Sequence, residues 1–109
     1  MAIAHVVTFS FTPEAPDDTA AVLAGRLTAV AESCTGITDF RCGGDIGLTP
    51  GTADFALTAV FEGTDAFTAY MQAPQHRAVV SEMSSLLATK SVVQFETDTA
   101  HVREVGEPT

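Results

Sequence analysis

Two segments of the sequence, residues 3–11 and 54–61, are apolar on both of their alternating faces, and they constrain the fold more than any other feature. Their β-branched and aromatic residues predict β-strands, and neither face of either strand is strongly polar. We therefore expect the sheet that contains them to be covered on both sides. A chain of 109 residues buries only about two-thirds of its surface when it folds alone, so a second copy is the expected cover for one side.

Five further elements are indicated by apolar residues at helical or alternating spacing and by breaks at proline and glycine. They are helices over residues 17–33, 64–71 and 74–88 and strands over residues 37–42 and 90–96. The third helix is expected to begin at Pro74 and to turn Val80 and Leu87 inward. The order β-α-β-β-α-α-β predicts one α+β domain over residues 1–109, a ferredoxin-like unit that forms a dimeric α+β barrel, with residues 98–109 as a polar tail.

The charge of the chain argues against two classes of partner. Fourteen acidic residues against five basic ones give a net charge of −9, so neither nucleic acid nor an anionic membrane surface is an expected partner. The sequence has no apolar run long enough for a transmembrane helix, and its first residues lack the pattern of a secretion signal. We therefore expect a cytoplasmic protein that pairs with a second copy of itself.

The cysteines and histidines are not spaced as metal ligands. Cys34 and Cys42 match no zinc pattern, and we interpret them as reduced structural thiols. His5, His76 and His101 lie far apart and have no Cys or Asp at ligand spacing. His101 lies in the polar tail and is assigned no role. Neither a metal nor a cofactor is expected.

Three stretches of the chain resemble the stress-responsive dimeric α/β-barrel (Dabb) family. They are Ala4-His5-Val6-Val7-Thr8-Phe9 followed by Phe11, then Asp54-Phe55-Ala56-Leu57-Thr58-Ala59-Val60-Phe61-Glu62, and last Phe67-Thr68-Ala69-Tyr70 followed by Pro74-Gln75-His76. The family's His-Pro-x-His element is present here as Ala73-Pro74-Gln75-His76, which lacks the first histidine. The resemblance covers about residues 2–96 and implies a barrel formed by two chains.

This family includes olivetolic acid cyclase, a cofactor-free polyketide cyclase, and the resemblance implies a catalytic pair. Tyr70 and His76 stand at positions that match the catalytic tyrosine and histidine of that enzyme. By this resemblance, His76 is the general base that removes an acidic C–H proton, and Tyr70 holds the substrate carbonyl as its charge develops. Glu96 stands where the enzyme has an acidic residue at the end of its last strand, and its implied role is to orient His76. The alternative for Glu96 is a solvated side chain.

A pocket between the sheet and the helices is expected to be lined by His5, Val7, Phe9, Tyr70, Met71 and His76. His5 lies on an apolar strand face, where a histidine is more often a satisfied core residue than a catalyst. The family resemblance places this position at the cavity. We therefore predict that His5, Val7, Phe9 and Met71 contact a substrate without performing chemistry.

Two functions stay open at this point. The first is a cofactor-free enzyme that acts on a polyketide-like carbonyl compound by cyclisation, aldol or dehydration chemistry, and the presence of both Tyr70 and His76 favours it. The second is a non-catalytic barrel that binds a small apolar ligand or serves as a stress-associated assembly unit, and alanine at position 73 favours it. A cofactor-free monooxygenase is a third function, but such enzymes usually have a tryptophan or asparagine in the cavity, and this chain has no tryptophan.

Overall fold

The computed structural model describes residues 1–97, and the predicted polar tail of residues 98–109 lies outside them. The elements are β1 (Ala2–Phe11), α1 (Thr19–Glu32), β2 (Ile37–Gly44), β3 (Phe55–Phe61), α2 (Thr64–Gln72), α3 (Pro74–Met83) and β4 (Leu87–Thr97), with a 3-10 turn at Ser84–Leu86. The four strands form one antiparallel sheet in the order β2-β3-β1-β4. The predicted α+β ferredoxin-like fold is confirmed.

The third helix is shorter than predicted. It ends at Met83 and does not continue to residue 88, because the next residues enter the 3-10 turn and then the sheet. The Thr12 amide donates a hydrogen bond of 2.8 Å to the Leu86 carbonyl, and Leu87 already pairs with β1. Val80, which was expected to face inward, is 50% exposed because it lies beside an open cavity. The prediction that the Val80 side chain faces the core is therefore wrong.

The core lies between the helices and one face of the sheet. Alternate residues of β1 and β3 point to this face, and α1 places Leu23 and Leu27 against them because these residues are one helical turn apart. The register of the sheet puts Leu57 of β3 and Val92 of β4 on either side of Val7. The buried apolar cluster comprises Val7, Leu23, Leu27, Val30, Phe55, Leu57, Ala59, Phe61, Tyr70, Val79 and Met83.

Within residues 1–97, no element covers the opposite face of the sheet. The register places Val6 of β1 and Val93 of β4 side by side on this face, and Ala4 lies between Val60 and Phe95. Val93 and Phe95 are each 52% exposed. Of the two apolar sides seen in the sequence, the helices cover one, and the described part of the chain leaves the other uncovered.

Candidate functional site

A cavity of about 590 Å³ lies between α3 and β4, on the helix-facing side of the sheet. Its inner wall is buried and mostly apolar, and its outer residues on α3 and β4 are exposed. All six residues predicted to line a pocket lie around it, namely His5, Val7, Phe9, Tyr70, Met71 and His76. Their predicted roles toward a substrate stay predictions.

The break between α2 and α3 brings Tyr70 and His76 together. Six residues along one continuous helix would separate the two side chains by about 120° around the axis. Here α2 ends after Tyr70, Ala73 is extended with ψ 133°, and Pro74 begins α3. The ring centroids of Tyr70 and His76 consequently lie 4.6 Å apart, with their planes at 52°. The interruption between the two helices therefore brings the Tyr70 and His76 rings into contact.

His76 offers a nitrogen that can accept a proton. Its Nδ1 atom is buried, and within residues 1–97 no hydrogen-bond partner reaches it. Burial lowers the pKa of His76, a hydrogen bond with the Met71 backbone opposes this shift, and the positive charge of Lys90 adds to it. The imidazole is therefore neutral at pH 7, and a neutral imidazole has one nitrogen with an available lone pair.

Tyr70 is suited to donate a hydrogen bond. It is 1% exposed, and its ring packs against Phe61 at 5.4 Å and Phe40 at 6.3 Å. Burial raises the pKa of Tyr70, and the nearby Cys34 and Cys42 thiols raise it further. The phenol therefore keeps its proton at neutral pH and can act as a donor to an oxygen that gains negative charge.

His5 is fixed by a residue that sequence reasoning did not assign to the site. Gln94 lies directly opposite His5 in the sheet, and its Nε2 atom is 2.9 Å from His5 Nδ1. With the amide nitrogen as donor, Nδ1 accepts and the proton of the neutral ring resides on Nε2. Burial lowers the pKa of His5, and the charges of His76 and Lys90 lower it further. The β1–β4 register would have identified Gln94, since it places the two residues side by side.

Glu96 is not part of this arrangement. Its register partner is Ile3, two residues along β1 from His5, and it does not line the cavity. Among residues 1–97, Glu96 forms no hydrogen bond or ion pair with His76. The structure therefore brings Gln94, and not Glu96, to the cavity. That Glu96 orients His76 stays a prediction, and no contact between the two residues supports it.

The described part of the chain shows no other centre of this kind. Across residues 1–97, no three His, Cys, Asp or Glu side chains are grouped to hold a metal ion. None of the helices in that range is both long enough and apolar enough to span a membrane. Cys34 and Cys42 are free thiols, and the Cys42 thiol lies 3.7 Å from the Ala24 carbonyl oxygen of α1.

A family model describes almost all of this fold. The model of the stress responsive A/B barrel domain matches residues 3–97. The chain belongs to this family. No curated protein matches the sequence.

Solved structures show the same architecture in this family and in similar proteins. A dimeric ferredoxin-like protein from Thermobifida fusca is 30% identical, with a TM-score of 0.82 over 89% of this chain and 92% of that one. A dimeric ferredoxin-like protein from Jannaschia is 19% identical, with a TM-score of 0.75 over 89% and 100% of the two chains. The hydroxynitrile lyase of Passiflora edulis is 10% identical, with a TM-score of 0.76 over 93% and 97%. At the last two identities, the likeness concerns the fold alone.

Proposed function

We propose that this protein is a homodimeric, cofactor-free enzyme that acts on a small polyketide-like carbonyl compound by cyclisation or aldol chemistry. The observation that carries the proposal is the Tyr70–His76 pair, in which a neutral histidine with an unpartnered Nδ1, as described within residues 1–97, lies beside a protonated tyrosine. Both residues line a cavity whose volume of about 590 Å³ is in the range of small-molecule sites.

The reaction that fits this pair begins with proton transfer from carbon. His76 removes a proton from the carbon next to a substrate carbonyl, and the electron pair of the C–H bond moves onto the carbonyl oxygen. The Tyr70 hydroxyl donates a hydrogen bond to that oxygen, which stabilises the enolate. The enolate carbon then attacks a second carbonyl of the same molecule, a C–C bond forms, and the new alkoxide takes the proton back from His76.

The open face of the sheet supports the dimer. Val93 and Phe95 are large apolar side chains that a single chain leaves half exposed. A second copy placed face to face would bury them, as expected from the two-sided apolar strands. The similar proteins from Thermobifida fusca and Jannaschia are dimeric, which supports the same assembly for this chain.

The proposal is tested with linear β-polyketo acids and their thioesters as substrates for the purified protein. Once a substrate is turned over, His76→Ala should lower kcat by about 10²- to 10⁴-fold, because it removes the base. Tyr70→Phe should also lower kcat, because it removes one hydrogen-bond donor to the enolate. Glu96→Gln should have a smaller effect than either substitution. Full activity of His76→Ala would contradict the proposal.

A matched control is available next to the base. Gln75 precedes His76 on α3, is exposed and does not line the cavity. Gln75→Ala should therefore leave kcat and KM unchanged. A loss of activity in Gln75→Ala equal to that in His76→Ala would show that α3 itself, and not the imidazole, limits the rate.

Binding without catalysis is the second candidate function. The buried inner wall of the cavity is mostly aliphatic, and Ala73 stands where the family's first histidine is usually found. If no carbonyl compound is turned over, while small apolar ligands raise the melting temperature, the protein is a binding protein of the same fold.

A further inference from the structure

The cations of this acidic chain are unevenly placed. The chain has five basic residues against fourteen acidic ones. Arg26 pairs with Glu82 at 2.6 Å and Arg41 with Asp39 at 3.3 Å. The other two cations of residues 1–97 are Arg77 and Lys90, and both line the cavity.

Neither of these two cations is neutralised within residues 1–97, where no carboxylate lies within 4.0 Å of either one. The residues around the cavity include no Asp or Glu. The uncharged polar groups there are His5, Tyr70, His76, Ser81 and Gln94. The charged residues that line the cavity are therefore both cations, on a molecule whose net charge is −9.

The two cations belong to the two outer walls of the cavity. Arg77 follows His76 on α3, and Lys90 lies on β4 opposite Phe9 of β1. The charge of Lys90 reaches the interior, since it contributes to the lowered pKa of both His5 and His76. Both side chains are exposed, so they reach solvent at the rim while the apolar wall lies deeper.

We propose that the cavity binds a carboxylate, with the anionic group of the ligand at the rim beside Arg77 and Lys90 and its apolar body against the inner wall. The substrate class is then a small free acid with an aliphatic or aromatic body. Hydrogen bonds from cations to carboxylates are about twice as strong as neutral ones, and a positive cavity concentrates anions that the acidic surface repels. This rests on the proposed function only in taking the cavity as the substrate site.

Binding of octanoate and 1-octanol, measured by calorimetry, tests the carboxylate site without any turnover. The two probes share an apolar chain and differ in charge. The wild-type protein should bind octanoate at least about tenfold more tightly than 1-octanol. Lys90→Gln and Arg77→Gln should each weaken octanoate binding by about tenfold and leave 1-octanol binding unchanged.

Two controls separate the local charge from the charge of the whole protein. Arg41→Gln removes a cation from β2, outside the cavity, and should leave octanoate binding unchanged. Lys90→Arg retains the charge and should retain the affinity for octanoate. Three results would each overturn the proposal: no saturable binding of octanoate, equal binding of octanoate and 1-octanol, or unchanged octanoate affinity when Lys90 and Arg77 are both replaced by Gln.

The result is independent of catalysis. If His76→Ala has full activity while octanoate discrimination follows Lys90 and Arg77, the proposed catalytic role of His76 fails and the carboxylate site stands. If His76→Ala is inactive while octanoate and 1-octanol bind equally, the enzyme proposal stands and the carboxylate site fails.

Discussion

The strands β3 and β4 flank the same central strand, yet they have opposite surroundings. The helix-facing side chains of β3, from Phe55 to Phe61, are 0–3% exposed. On β4 the helix-facing side chains from Lys90 to Glu96 are exposed, and Val92 is 45% exposed although its partner Val7 is buried. The helices cover the β2–β3 half of the sheet and leave the β4 half uncovered.

This difference separates the strand with most of the buried apolar surface from the strand beside the proposed ligand and dimer sites. Apolar burial concentrates on β3, where it contributes most to the free energy of folding. The same β4 strand has one face toward the cavity and another toward the open side of the sheet. The β4 half is therefore available to a ligand on one side and to a second chain on the other.

The largest expected effect compares two residues at the same level of the sheet. Leu57 and Val92 both pair with Val7, from β3 and β4 respectively. Leu57→Ala should lower the free energy of unfolding by about 2–5 kcal/mol, because it leaves a cavity in the core. Val92→Ala should lower it by less than about 1 kcal/mol, because the side chain is already half exposed. Urea denaturation of both variants measures the difference, and equal losses would contradict the division between the two strands.

The second prediction compares the two faces of β4. Phe95→Asp places a charge on the open face, where the proposed dimer packs, and should shift the protein from dimer to monomer. Val92→Asp places the same charge on the cavity side and should leave the dimer intact. Sedimentation at micromolar concentration should give about twice the 11.4 kDa chain mass for the wild type and for Val92→Asp. A Phe95→Asp protein that stays dimeric would place the interface elsewhere.

The smallest expected effect is the pH dependence of stability, which we assign to the two histidines of the cavity beside β4. Burial lowers the pKa of His5 and His76 below 6.5, so the unfolded chain binds more protons than the folded chain between the lowered pKa and 6.5. The free energy of unfolding should be at its full value above pH 6.5 and should fall as the pH drops through the lowered pKa. His5 and His76 are the two histidines of residues 1–97 and both line the cavity, so we expect this response to come from there.

Unfolding in urea between pH 8 and pH 5 measures this response. A protein with both His5→Gln and His76→Gln should show a smaller loss of stability over the same range. If the double variant and the wild type lose equal stability, the two histidines are not the groups that titrate.

The sequence predicted the fold well because strands and helices here follow their periodicity. Alternation in residues 3–11 and 54–61 identified β1 and β3 within one residue at each end. The predicted end of α3 was wrong. Leu86 and Leu87 continue the helical spacing, but the Leu86 carbonyl accepts a hydrogen bond from Thr12, just after β1, and Leu87 pairs with β1. The spacing of apolar side chains shows which residues share a face, but it does not show which backbone groups will form hydrogen bonds with another element.

The part of the candidate site that lies within one short segment of the chain could be predicted from the sequence. Tyr70 and His76 are six residues apart, and a proline between them was visible in the sequence. The Gln94 contact depends on the pairing of β1 with β4, which are far apart in the chain. A strand register of that kind is not fixed by either strand alone.

The break at Ala73 and Pro74 has a consequence for insertions and deletions. Each residue added to or removed from a helix turns all that follows by about 100°. One residue gained or lost between Tyr70 and His76 would thus swing the imidazole away from the phenol, even if every side chain of the cavity were kept. The number of residues in this segment thus sets the geometry of the pair, and we expect the Tyr70–His76 contact to survive substitution at positions 71, 72 and 75 better than a change of length.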